Sequence, residues 1–160
     1  MRSLLACLLL LAPMTPALAQ SRDACAMLQA TDIEAVLGTT AEVVEENGAG
    51  TGVSLCNWHN EEGQGVRLHS ITAASQGIVG GTPLDYFQQT ADARKQELGD
   101  LVQYLDGPWQ AGMMFNSTEN NPDMVFSVSF INKDDTVTLE TYGLDIDDTT
   151  GLAAKVAQGM

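Results

Sequence analysis

The segment SLCNWHN, residues 54–60, places a cysteine, a tryptophan and a histidine within four positions of one another. Cysteine and histidine bind metals or act as nucleophile and base, whereas tryptophan is more typical of a core. If the segment is a β-strand, Cys56 and Trp58 point to one face and His59 to the other. A thiol–imidazole pair is therefore not expected, and the chain contains no G-x-S-x-G nucleophile motif. The sequence predicts no catalytic residues and no cofactor, which argues against an enzyme.

A β-hairpin over the same segment predicts a compact group of polar side chains. With residues 61–65 as the loop, His59 lies opposite Arg67. Asn57 then lies opposite His69, so that the two histidines are diagonal neighbours, about 7–8 Å apart. These four side chains form either the solvated face of a sheet or a patch that binds a small anion or a carboxylate.

Residues 1–19 have the features of a secretory signal peptide. An arginine at position 2 precedes the apolar run 4–11, and the tripeptide 17–19, Ala-Leu-Ala, fits the small-x-small cleavage pattern. The run is much shorter than the roughly 20 residues of a membrane-spanning helix, and no later segment is apolar enough to span a bilayer. A lipoprotein signal is disfavoured because Cys7 precedes most of the apolar run. We expect a periplasmic or secreted protein with one domain over residues 20–160.

The chain is strongly acidic, with a formal charge of −14. Residues 20–160 keep six of the seven basic residues and all 21 acidic ones, so their formal charge is −15. This charge argues against binding to nucleic acid, whose phosphates need Lys and Arg, and against binding to anionic lipid surfaces. It favours solubility, cationic partners or divalent ions.

Two cysteines, Cys25 and Cys56, follow the predicted leader. In an exported protein an even number of cysteines favours a disulfide bond. A reactive thiol or a metal ligand is the alternative. A zinc site is not indicated, because the chain has neither a CxxC nor an HxxxH motif.

An acidic cluster near the C-terminus is a weak candidate for calcium. Asp145, Asp147 and Asp148 precede Gly151, but an EF-hand loop that starts at Asp145 needs glycine at its sixth position and glutamate at its twelfth. Gly151 is the seventh residue and Val156 is the twelfth. Solvated turns and favourable charges at a helix N-terminus explain these residues better.

Periodicity in the first half predicts a helix, three strands and a second helix. The first helix covers residues 24–37 with a break near Ala30, and Thr31 and Glu34 have the spacing of a capping box. Gly38 ends this helix. Strands are predicted over 41–46, 53–60 and 66–73. The second helix begins after Thr82 and ends at Gly99.

The second half predicts a meander of strands followed by a helix. Alternating apolar residues indicate strands within 101–105, 109–115, 124–130 and 137–141. Thr149 or Thr150 is expected to cap the last helix, which carries three apolar residues at helical spacing, Leu152, Val156 and Met160. The fold class is α+β, an antiparallel sheet with helices packed on one face, in the order α-β-β-β-α-β-β-β-α to within one strand.

Several short motifs resemble a broad family of bacterial exported domains of unknown function, many of them envelope lipoproteins. The motifs are Cys25-Ala-Met-Leu28, Thr31-Asp-Ile33, Val36-Leu-Gly38, Cys56-Asn-Trp58 and Leu98-Gly-Asp100. The resemblance implies a Cys25–Cys56 disulfide and a sandwich-like α+β domain, and it implies no catalytic residues. The chain departs from the family in lacking a convincing lipobox.

These observations predict a non-enzymatic exported domain that binds a partner protein of the envelope or a small ligand. The alternative is a module that binds cations through its acidic turns or small anions through the patch of His59, Arg67 and His69.

Overall fold

The computed structural model describes residues 22–39, 42–48, 52–116 and 125–160. The predicted signal peptide and Cys7 lie outside these residues. A 3₁₀ turn at Ala24–Ala26 is followed by the helices α1 (Ala30–Leu37), α2 (Pro83–Leu98) and α3 (Ile146–Gly159). The strands are β1 (Glu42–Gly48), β2 (Val53–His59), β3 (Gly65–Thr72), β4 (Val102–Tyr104), β5 (Ala111–Asn116), β6 (Val125–Asn132) and β7 (Asp135–Tyr142).

All seven strands belong to one antiparallel sheet with the order β1-β2-β3-β7-β6-β5-β4. Two meanders, β1 to β3 and β4 to β7, meet where β7 pairs with β3. Antiparallel sheet with separate helices confirms the predicted α+β class. The predicted element order is short by one strand, because four strands and not three separate α2 from α3.

One face of the sheet packs against the 3₁₀ turn, α1 and α3. This core contains the inward-facing residues of five strands, among them Cys56, Trp58, Leu68, Leu139 and Phe130. The side chains of Ile33 and Leu37 on α1, and those of α3, close this face. The apolar residues of α3 at positions 152, 153, 156 and 157 recur at the spacing of one helical stripe.

The opposite face carries α2, which corrects the prediction that the helices share one face. Phe87 and Ala91 of α2 are buried with Met113, Ile131 and Val102. Met113 is followed in β5 by Met114, and Ile131 is preceded in β6 by Phe130. Met114 and Phe130 belong to the other core. Because successive strand residues point to opposite faces, the two cores lie on opposite sides of the sheet.

Capping explains where the helices begin. The Thr82 hydroxyl accepts a hydrogen bond from the N–H of Asp85, as predicted. The predicted start of α1 is wrong: the box lies two residues earlier, where the Asp32 carboxylate accepts from the N–H of Gln29. The predicted cap of α3 is also wrong, because Asp145 caps it by accepting from the N–H of Asp148, and α3 is therefore longer than expected.

The disulfide between Cys25 and Cys56 is present, with Cα atoms 5.1 Å apart. It connects the 3₁₀ turn to β2, and the backbone N–H of Ala24 donates to the Ser54 hydroxyl at 2.9 Å beside it. Cys56 is fully buried, so this link lies inside the core. In the described part of the chain no helix is long and apolar enough to cross a membrane.

Candidate binding face

The polar residues predicted from the hairpin lie on the face of the sheet that carries α2, which we call the α2 face. Helix α2 packs against β4, β5 and β6. The rest of this face is formed by β1, β2, β3 and the C-terminal part of β7, where no described helix covers it. We call this region the open half. It contains the side chains of Leu55, Asn57, His59, Arg67, His69, Glu140 and Tyr142, which are half-buried or exposed.

Arg67 is the centre of the open half. Its Nε donates to Asn57 Oδ1 at 2.9 Å, and its Nη1 lies 3.5 Å from Glu140 Oε2. The guanidinium also lies 5.8 Å from the ring centroid of Tyr142, which is a cation–π distance. The Tyr142 hydroxyl donates to the same Glu140 oxygen at 3.2 Å. One guanidinium thus joins residues of three adjacent strands.

The pairing register explains these contacts and corrects the predicted hairpin. Arg67 lies opposite Asn57 in β2 and opposite Glu140 in β7. The predicted pairing of Arg67 with His59 is wrong by two residues, because His59 pairs with Gly65. A shift of two residues leaves every side chain on its predicted face. The predicted separation of His59 from the face of Cys56 and Trp58 is therefore confirmed.

The tight turn is built by Asn60. Its Oδ1 accepts from the N–H groups of Glu62 and Gln64, both at 3.0 Å, and its amide donates to the carbonyl of Leu37 at 3.2 Å. The Asn60 N–H also donates to the Gln64 carbonyl, so strand pairing resumes at Gly65. Asn60 thereby sets the register of the hairpin and holds the end of α1 against it.

The same shift separates the two histidines. His69 pairs with Leu55 and with Thr138, while His59 lies four positions further along β2, roughly 13 Å away along the strand direction. The predicted diagonal contact between them is therefore wrong. Burial lowers the pKa of His69; Glu140 opposes this shift and Arg67 adds to it. His69 is accordingly neutral at pH 7.

The open half contains two residues that the sequence did not indicate as part of the patch. Glu140 and Tyr142 come from β7, about 70 positions after Arg67, and only the β3–β7 pairing brings them together. An alternating strand with polar residues on one side was predicted at 137–141, but its neighbour in the sheet was not. Long-range strand pairing leaves no local signal in a single sequence.

A cleft of about 320 Å³ separates α2 from the open half. Tyr86, Thr90 and Arg94 recur every fourth residue and form the side of α2 that faces it. Its floor includes Ile71, Thr136 and Thr138, which belong to β3 and β7. The cleft and the open half are thus neighbouring parts of one surface.

The acidic residues considered for calcium serve the start of α3. The carboxylate of Asp145 caps the helix, Asp147 and Asp148 lie in its first turn, and burial and the neighbouring carboxylates raise the pKa of Asp148. Within the described ranges, no three His, Cys, Asp or Glu side chains are close enough to hold a metal ion.

Comparisons of the chain with protein-family models, with curated proteins and with solved structures find no match. The resemblance to exported envelope domains therefore stays a prediction.

Proposed function

We propose that this chain is an exported, non-enzymatic domain that binds a partner protein or a small ligand through the open half of its α2 face. The observation that carries the proposal is the unequal covering of the sheet. Among the described residues, three elements cover one face, but α2 alone lies on the other, over its β4–β6 half. A folded domain with one face of its sheet half uncovered has a preformed surface for a partner.

The chemistry of the open half suits a protein partner. It combines an aliphatic side chain, Leu55, and an aromatic one, Tyr142, with an arginine that is held in place by Asn57 and Glu140. Tyr and Arg are the residue types enriched at the centres of protein interfaces. The contacts of Arg67 fix its guanidinium before binding, which lowers the entropy cost of association.

Two observations support binding over catalysis. Cys56 in β2 is bonded to Cys25 and has no free thiol, and it lies on the opposite face from His59. The pKa of His69 is lowered by burial, but no nucleophile was predicted near it. The disulfide itself supports export, because such bonds persist in oxidising compartments.

Binding of a small anion to the polar patch is the weaker alternative. Arg67 already interacts with the carboxylate of Glu140, so an anion would have to compete with that contact. The open half therefore suits a larger partner that contacts Arg67 and its neighbours together.

The test compares capture by three forms of the disulfide-bonded mature chain from an extract of the host envelope. Arg67→Ala removes the centre of the open half. Arg22→Ala is the matched control, because Arg22 also lies 3.5 Å from a carboxylate, that of Asp135, and its side chain is 38% exposed against 47% for Arg67. Thermal melting of each variant confirms that it is folded.

We expect the wild type and Arg22→Ala to enrich the same partner, and Arg67→Ala to reduce its recovery at least about fivefold, the effect of losing one significant interface contact. Native mass spectrometry of the chain isolated from the host provides the same comparison for a small ligand. Equal recovery by both variants, or no reproducible partner or ligand, would contradict the proposal.

A further inference from the structure

The cleft between α2 and the sheet has the features of a ligand site. Its volume of about 320 Å³ is at the lower end of the range for small-molecule pockets. Since a water molecule occupies about 30 Å³ in the liquid, the cleft has room for about ten non-hydrogen atoms. It is therefore suited to a small molecule rather than to a segment of protein.

The interior of the cleft is apolar in character. Val53, Ile71, Phe87 and Met113 supply hydrocarbon and aromatic surface from two strands of one meander, one strand of the other, and α2. Several of the hydroxyl groups that line it are already paired within the protein. Those of Ser129 and Thr138 lie 2.9 Å from each other, and that of Thr90 donates to the Tyr86 carbonyl at 2.9 Å. A ligand in the cleft therefore needs few polar groups to satisfy the hydrogen-bonding groups of its walls.

Arg94 supplies a positive charge at the rim. Five of the six described cations have a carboxylate or carbonyl partner; these are Arg22, Arg67, Lys95, Lys133 and Lys155. Arg94 is the sixth, and within the described ranges it has no such partner although the chain carries 21 acidic residues. An arginine left unpaired beside an apolar cleft, in so acidic a protein, is positioned to bind an anionic group.

From this combination we propose that the cleft binds a small amphipathic carboxylate, with its hydrocarbon part between α2 and the sheet and its carboxylate on Arg94. Charge complementarity selects the head group, because guanidinium and carboxylate form two parallel hydrogen bonds. The apolar walls select the hydrocarbon part, and the volume limits its length. The inference rests on the proposed function in that the cleft adjoins the open half, and it names the class of ligand.

The test titrates the mature protein with octanoate, which has ten non-hydrogen atoms, and with 1-octanol and octylammonium, which share its chain but not its charge. Backbone chemical shifts of Tyr86, Ile71 and Thr136 report binding in the cleft. We expect octanoate to bind more tightly than octanol and octylammonium to bind most weakly. Butyrate, which has the same carboxylate and a shorter chain, is expected to bind more weakly than octanoate.

Arg94→Gln tests the head-group contact. This variant should weaken octanoate binding about tenfold and leave the affinity for octanol unchanged. The expected loss is at the lower end for a charge-assisted hydrogen bond because Arg94 is exposed. Arg94→Lys should restore part of the affinity, and Arg22→Gln should have no effect.

Octanoate binding that is absent, indifferent to the head group, unaffected by Arg94→Gln, or located outside the cleft would overturn the inference. If capture of a partner is still lost in Arg67→Ala, the proposed function stands and only the cleft ligand is wrong. If octanoate binds as expected but Arg67→Ala captures the partner normally, the open half is wrong and the cleft ligand stands.

Discussion

Reduction of the Cys25–Cys56 disulfide is expected to destabilise the protein by about 3–4 kcal/mol. The bond closes a loop over a sequence separation of 31 residues. In the chain-entropy model, opening a loop of this length returns about 3–4 kcal/mol of conformational freedom to the unfolded chain. Buried thiols pack as small apolar groups, so the reduced native state keeps most of its core contacts around Cys56.

This loss is a large part of the 5–15 kcal/mol that stabilises a typical domain. With about 2–4 °C lost per kcal/mol for a chain of this size, the melting temperature should fall by roughly 10 °C. The reduced protein should also show a larger denaturant m-value, because its unfolded chain exposes more surface.

The assay is urea unfolding of the mature protein, oxidised and reduced, followed by the fluorescence of Trp58 and Trp109. The double variant Cys25→Ala/Cys56→Ala serves as the control, since a reductant should not change its stability. If the free energies of unfolding of the oxidised and reduced forms agree to within about 1 kcal/mol, the reasoning that the bond acts on the unfolded chain is refuted.

Four further predictions concern single side chains. The Ser70 hydroxyl is fully buried with no hydrogen-bond partner in the described structure, so Ser70→Ala should leave the free energy of unfolding unchanged or raise it by up to about 1–2 kcal/mol. Thr141→Val is the matched comparison: the hydroxyls of Thr141 and Thr149 lie 2.6 Å apart, and this variant should lose about 1 kcal/mol in the same urea titration. Asn60→Ala should cost about 2–3 kcal/mol, because it leaves two turn N–H groups and the carbonyl at the end of α1 without their partner. For His69 the pKa is lowered in the folded protein, so below its ordinary value of 6.5 the unfolded chain takes up a proton that the folded chain does not. Stability should therefore fall as the pH decreases from 6.5 and level off below the folded pKa, and the difference between wild type and His69→Gln should show this slope; a constant difference from pH 7 to pH 5 would contradict it.

Features encoded within a few residues were predictable from the sequence. The Thr82 cap, the end of α1 at Gly38 and the alternation of β2 all depend on neighbours in the chain. The faces of Cys56 and His59 followed from alternation alone, and a register error of two residues did not change them.

The side of the sheet on which α2 packs was not predicted, although the sequence contained a signal. Met113-Met114 and Phe130-Ile131 place two apolar residues in succession within strands β5 and β6. Such runs are typical of strands that are buried on both faces. Ser127 and Ser129 alternate with apolar residues in β6, and this alternation predicts a strand with only one buried face.

The contacts of Arg67 were beyond local reasoning for a different reason. Its partner Glu140 becomes a neighbour only when β7 pairs with β3, and the register with Asn57 depends on the side chain of Asn60 in the turn. Neither event leaves a trace in the residues around Arg67. The residue types of the candidate site were therefore predictable from the sequence, whereas its geometry depends on the pairing of all the strands that form it.

Photo-crosslinking in the intact host tests the central claim, that the open half of the α2 face is a binding surface, most directly. A photoreactive amino acid replaces His59, which is exposed in the open half, or Gln158, which is exposed on α3 on the opposite side of the sheet. We predict a discrete adduct at position 59, seen as a defined shift in mass, and none at position 158. An adduct at position 158 alone, or none at either position, would contradict the account.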